Sequence, residues 1–494
     1  MSVHRLRPWV LRSKTRSRAA LYAGWRIAVL AIAAATFGTG ATDLAPAAGA
    51  ETDAAPVTED ADDKTATEDA DAAARGFERL KTQPYSPADF EQALFDSLWQ
   101  VWPEPLRQQA ADASPDQRRR MALSRYGLVA DPDNPTGPPL GVVDDGNGGW
   151  VMNCLACHQG KVAGHVIPGV GNSHFAFQTL TQDVALARRA AGKGRSGSMG
   201  AFVPLGNSNG TTNAQVFSIV LSALRDNDLN VLKTPKFPKF RNHDLDAPPF
   251  WNVKRKKNLY IDGFVPKTHR VIMQFALVPT NDAASFKQNE EGFRDILAWI
   301  ESLEPPAYPW EVDTTLAEAG RVAFEQACAD CHGTYGPDGT YPEKRVPIDV
   351  VGTDDTRLVG MPPEHRRVYR ESWCGECGKI HVVEQPDGYV APPLDGVWAS
   401  GPYFHNGSVP TLWHVLHPDQ RPAVWLRTED GYDRQRVGLE VAEFDRLPED
   451  VKSPEDKRRY FNTALKGKSA AGHDFPDELS ADEKRAVLEY LKTL

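Results

Sequence analysis

The sequence predicts a mainly α-helical fold of two tandem units, with long loop insertions and few short strands. Three observations carry this. A Cys-x-x-Cys-His motif occurs twice, as Cys154-Leu155-Ala156-Cys157-His158 and as Cys328-Ala329-Asp330-Cys331-His332. A helix-periodic segment also recurs: Asp295 to Leu303 lies over Ala486 to Leu494, each with an aromatic residue at the same place and a closing Leu, which reads as one amphipathic element used twice. Gly-, Pro-, Asp- and Asn-rich stretches, Ala130 to Gly149 and Gly192 to Gly210, interrupt the first unit and predict loops there.

In chain order, the first element is an export leader. Arg5, Arg7, Arg12, Lys14, Arg16, Arg18 and Arg26 precede the apolar run Ile27 to Phe37, with no acidic residue among them. This is the layout of a signal peptide over residues 1–50, with small residues for cleavage after Ala50. The run is short of the roughly 20 residues of a bilayer span, so a membrane enters only if the leader stays uncleaved. Glu51 to Ala74 is nearly all Ala, Asp, Glu and Thr, which predicts an acidic disordered linker over 51–77. Two domains follow, at 78–308 and 309–494. A net charge of −10 and a pI near 5.8 argue against nucleic acid as a partner.

The motifs supply the chemistry. Two thiols on one turn can add to the two vinyl groups of a haem while the next residue offers an imidazole to the iron. The composition gives about 0.002 such motifs by chance. A disulfide or structural zinc site is the competing reading. The expectation is two covalently bound c-type haems, attached through Cys154 and Cys157 and through Cys328 and Cys331, with His158 and His332 as proximal ligands. Haem 1 belongs to 78–308 and haem 2 to 309–494, each an expected cytochrome c domain. Export agrees, since free thiols outside the plasma membrane tend to oxidise, and the expected location is periplasmic or otherwise extracytoplasmic in a bacterium.

Helices are expected at Pro87 to Val101, Asp116 to Tyr126 and Thr315 to Phe324. In the last of these, Gly320 and Phe324 allow a close crossing with the terminal helix. The distal sides decide the function, because an iron with two strong protein ligands moves electrons and one with an open position binds peroxide or dioxygen. Over haem 2 the candidates are His473, Met361 in Val359-Gly360-Met361-Pro362-Pro363, and His405, with an open site as a further alternative. Over haem 1 they are Met152, His165, His174, His269 and Met273, although a lone His or Met is more often packing or surface.

The stretch from Ala391 to Leu412, which contains Gly401-Pro402-Tyr403-Phe404-His405-Asn406-Gly407, resembles the second-haem segment of bacterial di-haem cytochrome c peroxidases. Gly472-His473 and Leu479 to Leu491 make the resemblance closer to the di-haem rubber-oxygenase-like proteins. The peroxidase resemblance implies that His405 lines the haem cleft. The peroxidases carry their distal Met further on, where this chain reads His417-Pro418-Asp419, so that ligand does not transfer. The rubber-oxygenase resemblance implies a bis-histidine haem 2, His473 opposite His332, and an apolar distal pocket over haem 1 bordered by Phe275. Together they imply an exported di-haem oxidoreductase, peroxidase-like or oxygenase-like, in which electrons pass from haem 2, supplied by a redox protein or small donor, to a peroxide- or dioxygen-binding haem 1. The alternative is a pure electron-transfer cytochrome with both irons six-coordinate.

Four further features stand outside that scheme. Cys374-Gly375-Glu376-Cys377 lacks the following His and is expected as a short-loop disulfide. Lys254-Arg255-Lys256-Lys257, with Lys233, Lys236 and Lys239, is a solvated face, an anchor for haem propionates, or a dock for an acidic donor. Trp150 and Trp299 are candidate inter-haem neighbours, while Trp398 and Tyr403 either fill the core or relay electrons. Asn406-Gly407-Ser408 fits a glycosylation sequon that carries little meaning in a bacterial chain.

Overall fold

Alanine is the strongest helix former, and carboxylates favour a helix N-terminus. The acidic Ala-rich segment accordingly forms a helix, α1 (Glu59–Thr82). The computed structural model describes residues 59–193, 206–211, 221, 223–234, 242–278 and 280–494. Ala73, Phe77 and Leu80 recur at helical spacing along one side of α1. Ala73 and Leu80 are buried, and Phe77 stacks on Trp299 of α2 (Glu290–Ser302) with ring centres 5.2 Å apart. At the crossing, a Cβ on Gly76 would stand 2.0 Å from the Asp295 carbonyl oxygen, and Arg75 and Arg79 grip the Asp295 carboxylate at 3.0 and 3.1 Å. The expected disordered linker over 51–77 is thus helical from Glu59. Averaged composition hides a buried stripe that needs only a few positions per turn.

The second crossing repeats the first. Asp313 caps α3 (Thr314–Ala327) by accepting a hydrogen bond from the Leu316 amide, and Ser480 with Glu483 forms a capping box on α4 (Ala481–Leu491). Where these helices cross, a Cβ on Gly320 would stand 1.9 Å from the Ala486 carbonyl oxygen, and Phe324 packs on Tyr490 at 5.4 Å. Asp295 and Ala486, the two residues met by the glycines, occupy the same place in the recurring helix. Direct entry from α3 into Cys328 contrasts with the first unit, where residues 83–153 intervene between α1 and Cys154.

That insertion holds the helix Pro115–Tyr126 and a small antiparallel sheet in which Gly149–Met152 lies between Phe90–Glu91 and Val142–Asp144. The expected Pro87–Val101 helix begins as strand and turns helical at Gln92. Helix outweighs strand, but strand content exceeds the few short strands expected. Val424–Asp433 pairs with Gly438–Phe444 on one edge and Tyr460–Asn462 on the other, with an irregularity between Arg427 and Tyr432. Along Gly438–Phe444, Leu439 and Val441 are partly buried while Glu440 and Ala442 are exposed, the period-2 pattern of a half-covered strand.

Buried apolar residues form two clusters. One surrounds the first motif and takes in Met152, Phe175, Phe177, Phe275 and Trp299. The other surrounds the second motif and takes in Phe324, Tyr403, Leu412, Val487 and Leu491. Among the described residues no helix is long and apolar enough to cross a membrane. The signal-peptide expectation falls on residues 1–50, outside the described residues, as do 194–205 of the expected Gly192–Gly210 loop.

Candidate haem sites

Each motif is presented by the element that precedes it. Strand Gly149–Met152 delivers Asn153, whose side chain accepts from the Leu155 amide at 2.9 Å and donates to the Leu80 carbonyl at 2.6 Å, fixing the turn that holds Cys154 and Cys157. Helix α3 delivers the second motif, where Tyr335 Oη donates to the His332 carbonyl at 2.9 Å and accepts from the Leu394 amide at 2.7 Å. Both motif histidines use Nδ1 in the same way. His158 Nδ1 donates to the Pro248 carbonyl at 3.0 Å and His332 Nδ1 to the Pro392 carbonyl at 2.9 Å. A carbonyl only accepts, so Nδ1 carries the proton and Nε2 keeps its lone pair for a metal. Burial lowers the pKa of both, that of His158 to about 4, with the Pro248 bond opposing. Both rings are therefore neutral at ordinary pH, as a ligand must be.

The two carbonyls belong to a repeat that motif reading passed over: Ala247-Pro248-Pro249 with Val253, and Ala391-Pro392-Pro393 with Val397. The segments after them are tied together. Trp251 Nε1 donates to the Asp395 carbonyl at 2.7 Å, Asn252 Nδ2 to the Pro393 carbonyl at 2.9 Å, and Arg255 pairs with Asp395 at 3.0 Å. Phe250 stacks face to face on His158 at 4.0 Å. Trp251 therefore stands between the proximal sides of the two motifs. Trp150 and Trp299 do not line the cavity, Trp398 Nε1 donates to the Pro306 carbonyl, and Tyr403 is in the wall with its hydroxyl donating to the Val397 carbonyl.

One predominantly apolar cavity of about 710 Å³ borders both motifs. Its histidines, among the described residues, are His158, His332, His405 and His473. A metal–imidazole nitrogen bond of about 2.0–2.1 Å, with roughly 1.1 Å from nitrogen to ring centre, places two trans imidazoles about 6.3 Å apart. His332 and His473 stand 6.1 Å apart, ring centre to ring centre. Burial, with the neighbouring His332 ring and the Arg421 guanidinium adding, lowers the His473 pKa to about 3. Met361 is fully buried in the core and is not in the cavity wall, because the turn before helix Pro363–Glu371 folds it inward. His405 is in the wall, 4.5 Å from the Tyr389 ring, with Nε2 lacking a hydrogen-bond partner among the described residues and its pKa lowered to about 4 by burial.

Around the first motif the wall includes Met152, Phe175, Phe177, Val271, Gln274 and Phe275. Of the five distal candidates there, only Met152 reaches the cavity. His165 is exposed on a hairpin strand, His269 is bound to Glu290 at 2.9 Å, Met273 is fully buried, and His174 lies outside the wall. The donor set fits a c-type haem: paired thiols, a neutral imidazole with Nδ1–H engaged, and an apolar cavity beside them.

The basic stretch divides. Lys254 pairs with Glu304 at 2.6 Å, Arg255 with Asp395, and Lys257 is exposed. Lys256 lines the cavity, its pKa lowered by burial with Glu343 opposing. Lys233 is exposed, and Lys236 and Lys239 lie outside the described residues. The expected Cys374–Cys377 ring is not formed: Cys374 is buried and Cys377 exposed, with Glu376 and Cys377 in the left-handed region at φ 53° and 54°. Asn406 is buried and donates to the Ser469 carbonyl, so the sequon is internal.

Residues 388–426 match the family model described as RoxA-like, cytochrome c-like. That segment contains Pro392, His405 and Arg421. Two proteins of Sinorhizobium fredii are similar: uncharacterized protein y4iM, 28% identical over 41% of this chain and 51% of its own length, and uncharacterized protein y4iJ, 29% identical over 39% and 41%. The aligned parts thus span about half the length of these relatives. Residues 388–426 are thus similar to a segment of the RoxA-like, cytochrome c-like family, a similarity that points to c-type haem.

Proposed function

We propose that the chain is an exported, periplasmic di-haem c-type cytochrome of two tandem cytochrome c domains, the first opening with α1. In this reading Cys328, Cys331, His332 and His473 would hold the haem that takes electrons from a redox protein or small donor, and Cys154, Cys157 and His158 would hold the one to which they pass and at which peroxide or dioxygen would bind. The single observation that carries this is an asymmetry: His473 faces His332 at 6.1 Å, whereas an apolar wall that includes Phe275 faces the cavity beside His158. A c-type haem, when bound, would supply one-electron chemistry and a site for peroxide or dioxygen. The chain's own residues do the rest. Pro248 and Pro392 orient the proximal rings, His473 closes haem 2, and Phe175, Phe177, Val271 and Phe275 keep water from haem 1. Trp251 links the proximal segments, and Lys256 offers a cation to a haem propionate.

Carbon monoxide titration of the dithionite-reduced full-length protein tests the proposal. The expected result is one carbon monoxide per two haems. Binding to neither haem would make the chain a pure electron carrier and refute the catalytic reading.

A further inference from the structure

On the bis-histidine reading of haem 2 above, we infer that Arg421 is the positioning residue that holds His473 over the iron. Its guanidinium is turned to main-chain carbonyls rather than to a carboxylate. Nε donates to the His414 carbonyl at 3.0 Å, Nη1 to the carbonyls of Ala470 and Gly472 at 2.7 Å each, and Nη2 to those of Val415 and His473 at 3.4 Å. Only 6% of the side chain is exposed, Phe404 covers one face at 4.9 Å, and the Asp474 carboxylate stays 3.9 Å away and largely in solvent. A guanidinium in such a place carries a desolvation cost, which five carbonyls on two segments offset.

The two segments are the ones that matter. His414 and Val415 lie in helix Leu412–Leu416, whose Leu412, Val415 and Leu416 line the cavity, and Ala470 to His473 is the loop that carries the distal imidazole. That loop does not hold itself. Gly472 and His473 are both left-handed, at φ 80° and 53°, a conformation a histidine adopts only when its surroundings impose it. On its far side the loop is pressed against Gly352, where a Cβ on Gly472 would stand 2.2 Å from the Gly352 carbonyl carbon, and the His473 amide donates to the Val351 carbonyl at 2.6 Å. Arg421 closes the near side. A lysine in its place cannot span both segments, because an ammonium is a point donor and a guanidinium a rigid fork.

The test uses the haem-loaded full-length protein, with variants compared at equal haem content by the electron paramagnetic resonance and visible spectra of the ferric state. R421L should convert the low-spin bis-imidazole haem to high spin, and added imidazole should restore the low-spin signal. H473A serves as the reference. If H473A leaves that haem low-spin, the bis-histidine reading itself falls. If H473A converts it and R421L does not, the role of Arg421 is overturned. R421K decides the matter if R421L does not fold: it keeps the buried cation and should let cyanide displace His473 at least tenfold faster, and an unchanged rate would overturn the inference.

Discussion

Replacing Gly320 with Ala sets two physical effects of opposite sign against each other. Inside a helix, Gly to Ala stabilises by about 0.8–1.0 kcal/mol through backbone entropy alone. The crossing predicts the reverse, because the new Cβ would stand 1.9 Å from the Ala486 carbonyl oxygen, whereas a carbon and a carbonyl oxygen rest about 3.3–3.6 Å apart. The obstacle is backbone, which cannot rotate aside, so α3 and α4 must separate by roughly 1.4 Å and loosen the packing of Phe324 and Tyr490. Overpacking of this kind costs about 1–3 kcal/mol. Taking its upper end and subtracting the propensity gain leaves a net loss of about 2 kcal/mol. Gly76→Ala meets the Asp295 carbonyl oxygen at 2.0 Å and should lose a similar amount. Urea unfolding of the haem-loaded protein, followed by far-UV circular dichroism, reads both. A stabilised or unchanged Gly320→Ala protein would falsify the close-crossing account.

Haem content should fall in steps. A pyridine haemochrome assay should give two haems per chain for the natural sequence and one for Cys154→Ala/Cys157→Ala, and a value of one for the natural sequence would sink the two-haem proposal. Phe275→Ala should speed carbon monoxide association with haem 1 and, as a large core truncation, cost about 3–5 kcal/mol; an unchanged association rate would place Phe275 away from the entering ligand. Burial raises the Glu290 pKa, but hydrogen bonds from Arg270 and His269 outweigh it and leave the carboxyl below its usual 4.5. The unfolded chain therefore binds this proton first, so the stabilisation is present above pH 4.5 and is lost as pH falls through the folded value. Glu290→Gln should flatten the acid limb of stability against pH, and an identical limb would refute the linkage.

Much of the helical framework was legible because its signals are local. Gly320-x-x-x-Phe324 gave away the α3 crossing, and Ser480-x-x-Glu483 is a cap readable in four residues. The same glycine signal stood at Gly76 and was lost in the acidic composition around it. The Ala-Pro-Pro repeat at 247–249 and 391–393 was equally visible, but its meaning was not. Nothing in a proline announces that its carbonyl will accept from a histidine far away in the chain. Lys254, Arg255, Lys256 and Lys257 looked like one basic face and proved to be a pair, a pair, a cavity wall and a solvent-exposed residue.

By itself the sequence set out the pattern on which the proposed haem attachment rests, since thiol, thiol and imidazole within five residues need only the geometry of one turn. It also determined the recurring helices, whose 3.6-residue period is a property of the segment alone. Only the tertiary structure decided which of His473, Met361 and His405 faces His332, because a position across a cavity depends on how distant segments close. That closure rests on left-handed Gly472 and His473 seated against Gly352 and held from the other side by Arg421. It likewise decided that both motifs share one cavity, with their proximal sides joined through Trp251 and Asp395. Motif spacing is written along the chain, whereas the approach of His473 to His332 is set by packing between residues that the chain keeps far apart.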